Sequence, residues 1–168
     1  MRLRRFNSNG HIASAFSLIE LVIVVVIIAI IGAIAIPRMS RGAAGAGDAA
    51  LTQDLTSLRG AIDLFQTENG GVYPINDRIA QALTSYHDGG GASVTYSATP
   101  DATHIFGPYL RSVPPLPVGP AKGNSGIGGT GAPAATAGMG WVYNGTTGQI
   151  VANTTTETDA AGMLYKNY

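Results

Sequence analysis

Two hydrophobic patterns divide the chain. From Phe16 to Pro37 it reads FSLIELVIVVVIIAIIGAIAIP, apolar almost without interruption, with a single carboxylate at Glu20. About 20 such residues, each rising ~1.5 Å, match a hydrocarbon core of ~30 Å, so the run predicts a helix able to cross a bilayer. From Asp48 onward the apolar positions become periodic. Leu51, Leu55, Leu58, Ile62 and Phe65 recur at spacings of 4, 3, 4 and 3, which places them on one stripe of a second helix. Asp48 is the expected N-cap, and Asn69-Gly70-Gly71 the stop. The stripe lasts barely two heptads, too short for a coiled coil, and is expected to pack on a sheet of its own domain. Between the two patterns lies 38–47, where three glycines following Pro37 weaken a continuous helix and predict a flexible segment.

The downstream signals are shorter. Asn76 to Tyr86 predicts a second small helix with Ile79, Ala82, Leu83 and Tyr86 on one side. Strand signals follow at Val94–Ser97, Trp141–Tyr143 and Gln149–Ala152; the last two flank Asn144–Gly148, whose Asn-Gly step suits a hairpin loop. Trp141, the only tryptophan, is expected between this sheet and the Leu51 to Phe65 stripe. From Pro114 to Gly140 nearly half the residues are glycine or proline, a composition too poor in apolar area to offset backbone ordering, so a mobile surface loop is the expectation.

Composition narrows the chemistry. The 168 residues allow one compact domain plus an anchor. Cysteine is absent, which removes disulfides and thiolate nucleophiles. Gly126-x-Gly128-x-x-Gly131 matches the dinucleotide fingerprint in letters, but it follows no predicted strand and Pro133 blocks the helix that should come next. His87 and His104 sit in no ligand pattern and read as solvated loop side chains. No catalytic set is visible, and an enzyme is not expected.

The leader changes the picture of the apolar run. MRLRRFNSNGHIASA places Arg2, Arg4 and Arg5 ahead of it, the arrangement of an export or insertion signal with the arginines in the cytoplasm. A secretory signal carries its small-residue cleavage site after the apolar region. Here Ala13-Ser14-Ala15 comes before it, so a cut after Ala15 would keep the whole helix and leave a new α-amine on Phe16, one turn from Glu20. Removing the three arginines from ten basic residues leaves seven against ten acidic, net −3, with no electrostatic footprint for nucleic acid. A second small-x-small pattern, Ala33-Ile34-Ala35, would suit an ordinary signal peptidase, but Glu20 lies inside that signal core and Pro37 falls just behind the cut. An ionised carboxylate at mid-membrane costs on the order of 2.5–3.5 kcal/mol, so Glu20 must either snorkel to the interface or find a partner.

The spacing Ala15, Phe16, Glu20, Pro37 resembles the N-terminus of the type IV pilin and type II secretion pseudopilin superfamily, in which Glu20 would be the fifth mature residue and Pro37 the twenty-second. The residue before the cut, usually glycine in that family, is Ala15 here. Thr67-Glu68-Asn69-Gly70-Gly71-Val72-Tyr73-Pro74 is similar to the segment that ends the long helix in the major pseudopilin. The resemblance implies a cleaved leader over 1–15, a transmembrane and assembly helix over 16–37, the flexible segment 38–47, and a periplasmic head over 48–168 that includes the loop 114–140. The fold implied is α+β, a long N-terminal helix packed on a small antiparallel sheet.

The function implied is structural. Prepilin peptidase would cut after Ala15, the Phe16 amine would be methylated, and subunits would leave the bacterial inner membrane to polymerise into a periplasmic filament that drives protein export. Glu20 would pair with the Phe16 amine of a neighbour. The implied partners are further copies of the chain, minor pseudopilins, the inner-membrane assembly platform and, before assembly, lipid. The loop 114–140 would touch neighbouring subunits or a secreted substrate. Major pseudopilins commonly hold calcium near the C-terminus, and Glu157 and Asp159 are the only carboxylates this tail offers. A surface-fibre pilin and an anchored binding module that never polymerises are the competing readings.

Overall fold

The structure, a computed structural model, describes residues 16–129 and 138–168, and the backbone alone for 36–43. The chain divides into two units between Arg41 and Gly42.

Helix α1, Leu18–Glu68, contributes to both units. The break in the helix expected between Pro37 and Asp48 does not occur, because 38–47, read as a flexible segment, is helical throughout. One proline removes one backbone hydrogen bond, and each glycine costs only about 1 kcal/mol. Ala43, Ala44, Ala46, Ala49 and Ala50 surround those glycines with the best helix former. Asp48 is therefore no N-cap; it lies inside α1, where its carboxylate accepts the Tyr165 hydroxyl at 2.8 Å. At the far end Asn69-Gly70-Gly71 does stop the helix. The amides of Asn69 and Gly71 reach back to Phe65 and Gln66, and both glycines turn to positive φ.

The second unit is α+β. Leu51, Leu55, Leu58, Ile62 and Phe65 are all at most 2 % exposed, and Ala61 joins them on the inner face of α1. The expected second helix splits into a 3-10 turn, Asn76–Arg78, and α2, Ile79–Thr84, whose Ile79, Ala82 and Leu83 are buried. Tyr86 is not on it, but opens β1, Tyr86–His87, which pairs antiparallel with β2, Tyr96–Ser97.

A second sheet runs β3–β4–β5: Gly126–Gly128, Met139–Asn144 and Gln149–Ala152. The expected hairpin β4–β5 is antiparallel, with Trp141 opposite Ala152 and Tyr143 opposite Ile150. All four face the core with the α1 stripe, following the two-residue period of a strand. A wholly antiparallel sheet, however, is not what forms. β3 adds to β4 in parallel, because glycine lets the backbones approach: a Cβ at Gly126 would lie 2.4 Å from the Gly138 carbonyl oxygen.

That strand also corrects the reading of 114–140 as a mobile surface loop. Leu116, Val118 and Ala121 are buried, and the turn they form closes through Leu116 N–H to Asn124 O and Gly123 N–H to Leu116 O. Three apolar side chains and the Trp141 indole N–H, which donates to the Pro114 carbonyl at 2.8 Å, suffice to fix 114–129. Residues 130–137 lie outside the described part.

Candidate functional site

Phe16 is 79 % exposed, and α1 begins two residues later. The Glu20 carboxylate turns back toward this end and accepts the Ser17 amide at 3.4 Å. It thereby meets the positive end of the helix dipole. Over Leu18–Ala35 no residue is buried, and this helix is long and apolar enough to cross a membrane. Ala15 lies outside the described residues, and Pro37 is placed by its backbone alone. The structure therefore brings Phe16 and Glu20 to one turn and leaves Leu18–Ala35 uncovered.

The other sequence-derived positions belong to the head. Trp141 is fully buried with the Leu51 to Ile62 face of α1. Phe65 departs from that cluster: its ring meets those of His87 and Tyr109 at 4.9 and 6.3 Å.

Glu157 and Asp159 occupy the C-terminal tail, where one oxygen of Glu157 and both of Asp159 accept hydrogen bonds. Glu157 Oε2 accepts the amides of Thr155 and Thr156. Asp159 Oδ1 accepts those of Ala161 and Met163, and Oδ2 the Tyr168 hydroxyl at 2.5 Å. Both carboxyls are held below the usual range, chiefly by the Thr155 amide for Glu157 and the Tyr168 hydroxyl for Asp159. A calcium cage turns six to eight oxygens toward the ion. These two turn toward N–H and O–H donors, and no group of three candidate ligands occurs among the described residues. Arg59 donates to the Tyr168 carbonyl at 2.5 Å and to that of Ile150 at 3.3 Å, while Tyr165 donates to Asp48. Burial and the Asp48 bond push the Tyr165 phenol up to about 12.

One group was missed by sequence reasoning. His87, expected in solvent, is 0 % exposed. Its Nδ1 accepts the Gly89 amide at 3.2 Å, so Nε2 carries the proton and donates to the Tyr109 hydroxyl at 2.6 Å. Tyr109 in turn donates to Glu68. Burial lowers the His87 pKa against the opposing pull of Glu68 and Asp88. Burial also pushes the Tyr109 phenol far up, with Glu68 adding to it. The only trace in the sequence is that Ser85-Tyr86-His87 follows a helix pattern and precedes three glycines, which reads as a loop. No protein-family model, curated protein or solved structure matches the chain.

Proposed function

We propose that this chain is a structural subunit of a type II secretion pseudopilus. Its leader is removed after Ala15 by prepilin peptidase, and the mature subunit passes from the inner membrane into a periplasmic filament. The observation that carries this reading is the uncovered apolar helix headed by Phe16 and Glu20 one turn apart. Lipid covers such a helix before assembly, and the helices of neighbouring copies cover it afterwards.

Within a bundle of apolar helices the Glu20 carboxylate is desolvated, and one weak amide contact leaves most of its hydrogen-bonding capacity open. The new Phe16 amine of a neighbouring copy satisfies it. One charge pair in an apolar bundle sets register by making every other register leave a buried charge unpaired. The turn Asn69 to Pro74 favours a pseudopilus over a surface fibre. The head supplies the outer surface of the filament, where the assembly platform and minor pseudopilins meet it.

The test is a Glu20→Ala variant expressed with its secretion system. We expect normal insertion, mature protein beginning at Phe16 by N-terminal sequencing, and loss of crosslinks between cysteines placed in neighbouring apolar helices. Wild-type crosslinking in this variant, or a mature N-terminus at Ile36, overturns the assignment. Long surface fibres by electron microscopy move it to a pilin.

A further inference from the structure

His87 is the one side chain among the head's described histidines, carboxylates, lysines and arginines that is fully buried, and its Nδ1 is held as an acceptor. β1 is two residues long, with β2 on one side and an isolated bridge to Phe106 on the other. His87 makes both connections: it opposes Tyr96, and it exchanges backbone bonds with Phe106 at 3.0 and 3.1 Å. Its ring stacks on Phe106 at 5.6 Å and tilts against Phe65 of α1 at 4.9 Å. The excursion 88–106 is thus tied to the end of α1 through this residue.

The ring nitrogens decide what protonation does. Nδ1 is an acceptor, facing the Gly89 amide and, at 3.4 Å, the Asn69 side-chain amide. Gly89 sits at φ +71 in close contact with Phe106, whose ring a Cβ there would meet at 2.7 Å. A proton on Nδ1 would therefore set N–H against N–H, with loss of the bond that starts the excursion. The remaining ionisable neighbours offset the burial of the ring only in part. Glu68 from α1 lies 3.9 Å from Nε2 and already takes the Tyr109 proton. Asp88 spends both oxygens on Gly90 and Thr95 and is held down to about 2, mainly by the Thr95 hydroxyl. His104 opposes a charge on His87, and Tyr96 brings a buried hydroxyl with no partner. Asn69 Oδ1 is likewise buried and unbonded.

We propose that His87 is an acid-released latch: the neutral ring fastens 88–106 to the end of α1, and protonation detaches the excursion and uncovers Phe65 and Phe106. The latch belongs to the head and holds whether or not the chain polymerises.

A histidine that is harder to protonate when folded binds fewer protons than the opened state, so the closed form loses stability as pH falls below the free-histidine value of about 6.5. Opening coupled to one proton rises about tenfold for each pH unit between that value and the folded one.

The test is hydrogen exchange of the full chain in detergent micelles from pH 7.5 to 4.5, corrected for intrinsic rates, together with a carbon–proton NMR titration of His87. Expected are a His87 midpoint below 6.5 and a rise in opening at Gly89 and across 88–106, against constant protection at Leu55 and Leu58. In His87→Phe, which keeps the stack without a titrating group, the pH dependence should vanish. Protection of 88–106 that is independent of pH, or a His87 midpoint at or above 6.5, overturns the proposal. Should His87→Phe fail to fold, the wild-type titration alone decides.

Discussion

Trp141 illustrates how one side chain joins two parts of the fold. Its ring is fully buried, while its indole N–H holds the Pro114 carbonyl at 2.8 Å. Phenylalanine in its place keeps much of the apolar area but orphans that carbonyl and leaves space unfilled. We expect Trp141→Phe to lower stability by about 1–3 kcal/mol, read from denaturant midpoints. Faster hydrogen exchange at Leu116 and Gly123 should accompany it, since their turn hangs from that bond. The tryptophan was legible as core; its partner was not, because Pro114 lies 27 residues away in a stretch whose composition signals a loop. His87 is the stronger case. Nothing in its neighbours' identities announces a buried acceptor, since what buries it is Phe65, Phe106 and Tyr109, drawn from segments that only the fold assembles.

At the scale of elements, α1 combines two kinds of helix in one continuous run. Its first part is apolar on every face, and its second carries a single stripe. The stripe makes a sharp contrast possible between neighbouring leucines. Leu58 is 0 % exposed and Leu64 is 54 % exposed. Leu58→Ala should cost about 2–5 kcal/mol, and Leu64→Ala within about 0.5 kcal/mol of nothing, by chemical denaturation under identical conditions. Equal losses would mean that the outer face of α1 is covered as well. The periodicity of this helix is a local property and was readable directly. Its continuity through 38–47 was less so, because proline and glycine argue for a break and alanine for propagation, and only the sum decides. β3 was invisible for a similar reason: Gly126-Ile127-Gly128 carries no alternation, and pairs because β4 offers a free edge.

Across the whole molecule, the question is what fixes the C-terminal tail. Family resemblance points to calcium, whereas the observed ties are tyrosine to carboxylate and arginine to carbonyl, from Tyr165 to Asp48, from Tyr168 to Asp159 and from Arg59 to Tyr168. We expect a chelator to leave the melting temperature unchanged. Tyr165→Phe should lower stability by about 0.5–1.5 kcal/mol through loss of one hydrogen bond. A melting temperature that falls with chelator and recovers with calcium would reverse this view of the tail.

By itself the sequence determined the features set by local order: the apolar run, the spacing of Phe16, Glu20 and Pro37, the 4-3-4-3 stripe, the Asn-Gly-Gly stop and the β4–β5 hairpin. Each depends on residues within a few positions of one another, where period and turn chemistry act. Tertiary structure alone decided the rest: the parallel addition of β3, the ordering of 114–129, the ties from Tyr165 to Asp48 and from Arg59 to Tyr168, and the buried histidine under 88–106. These depend on contacts between distant segments, whose geometry arises only when the core closes.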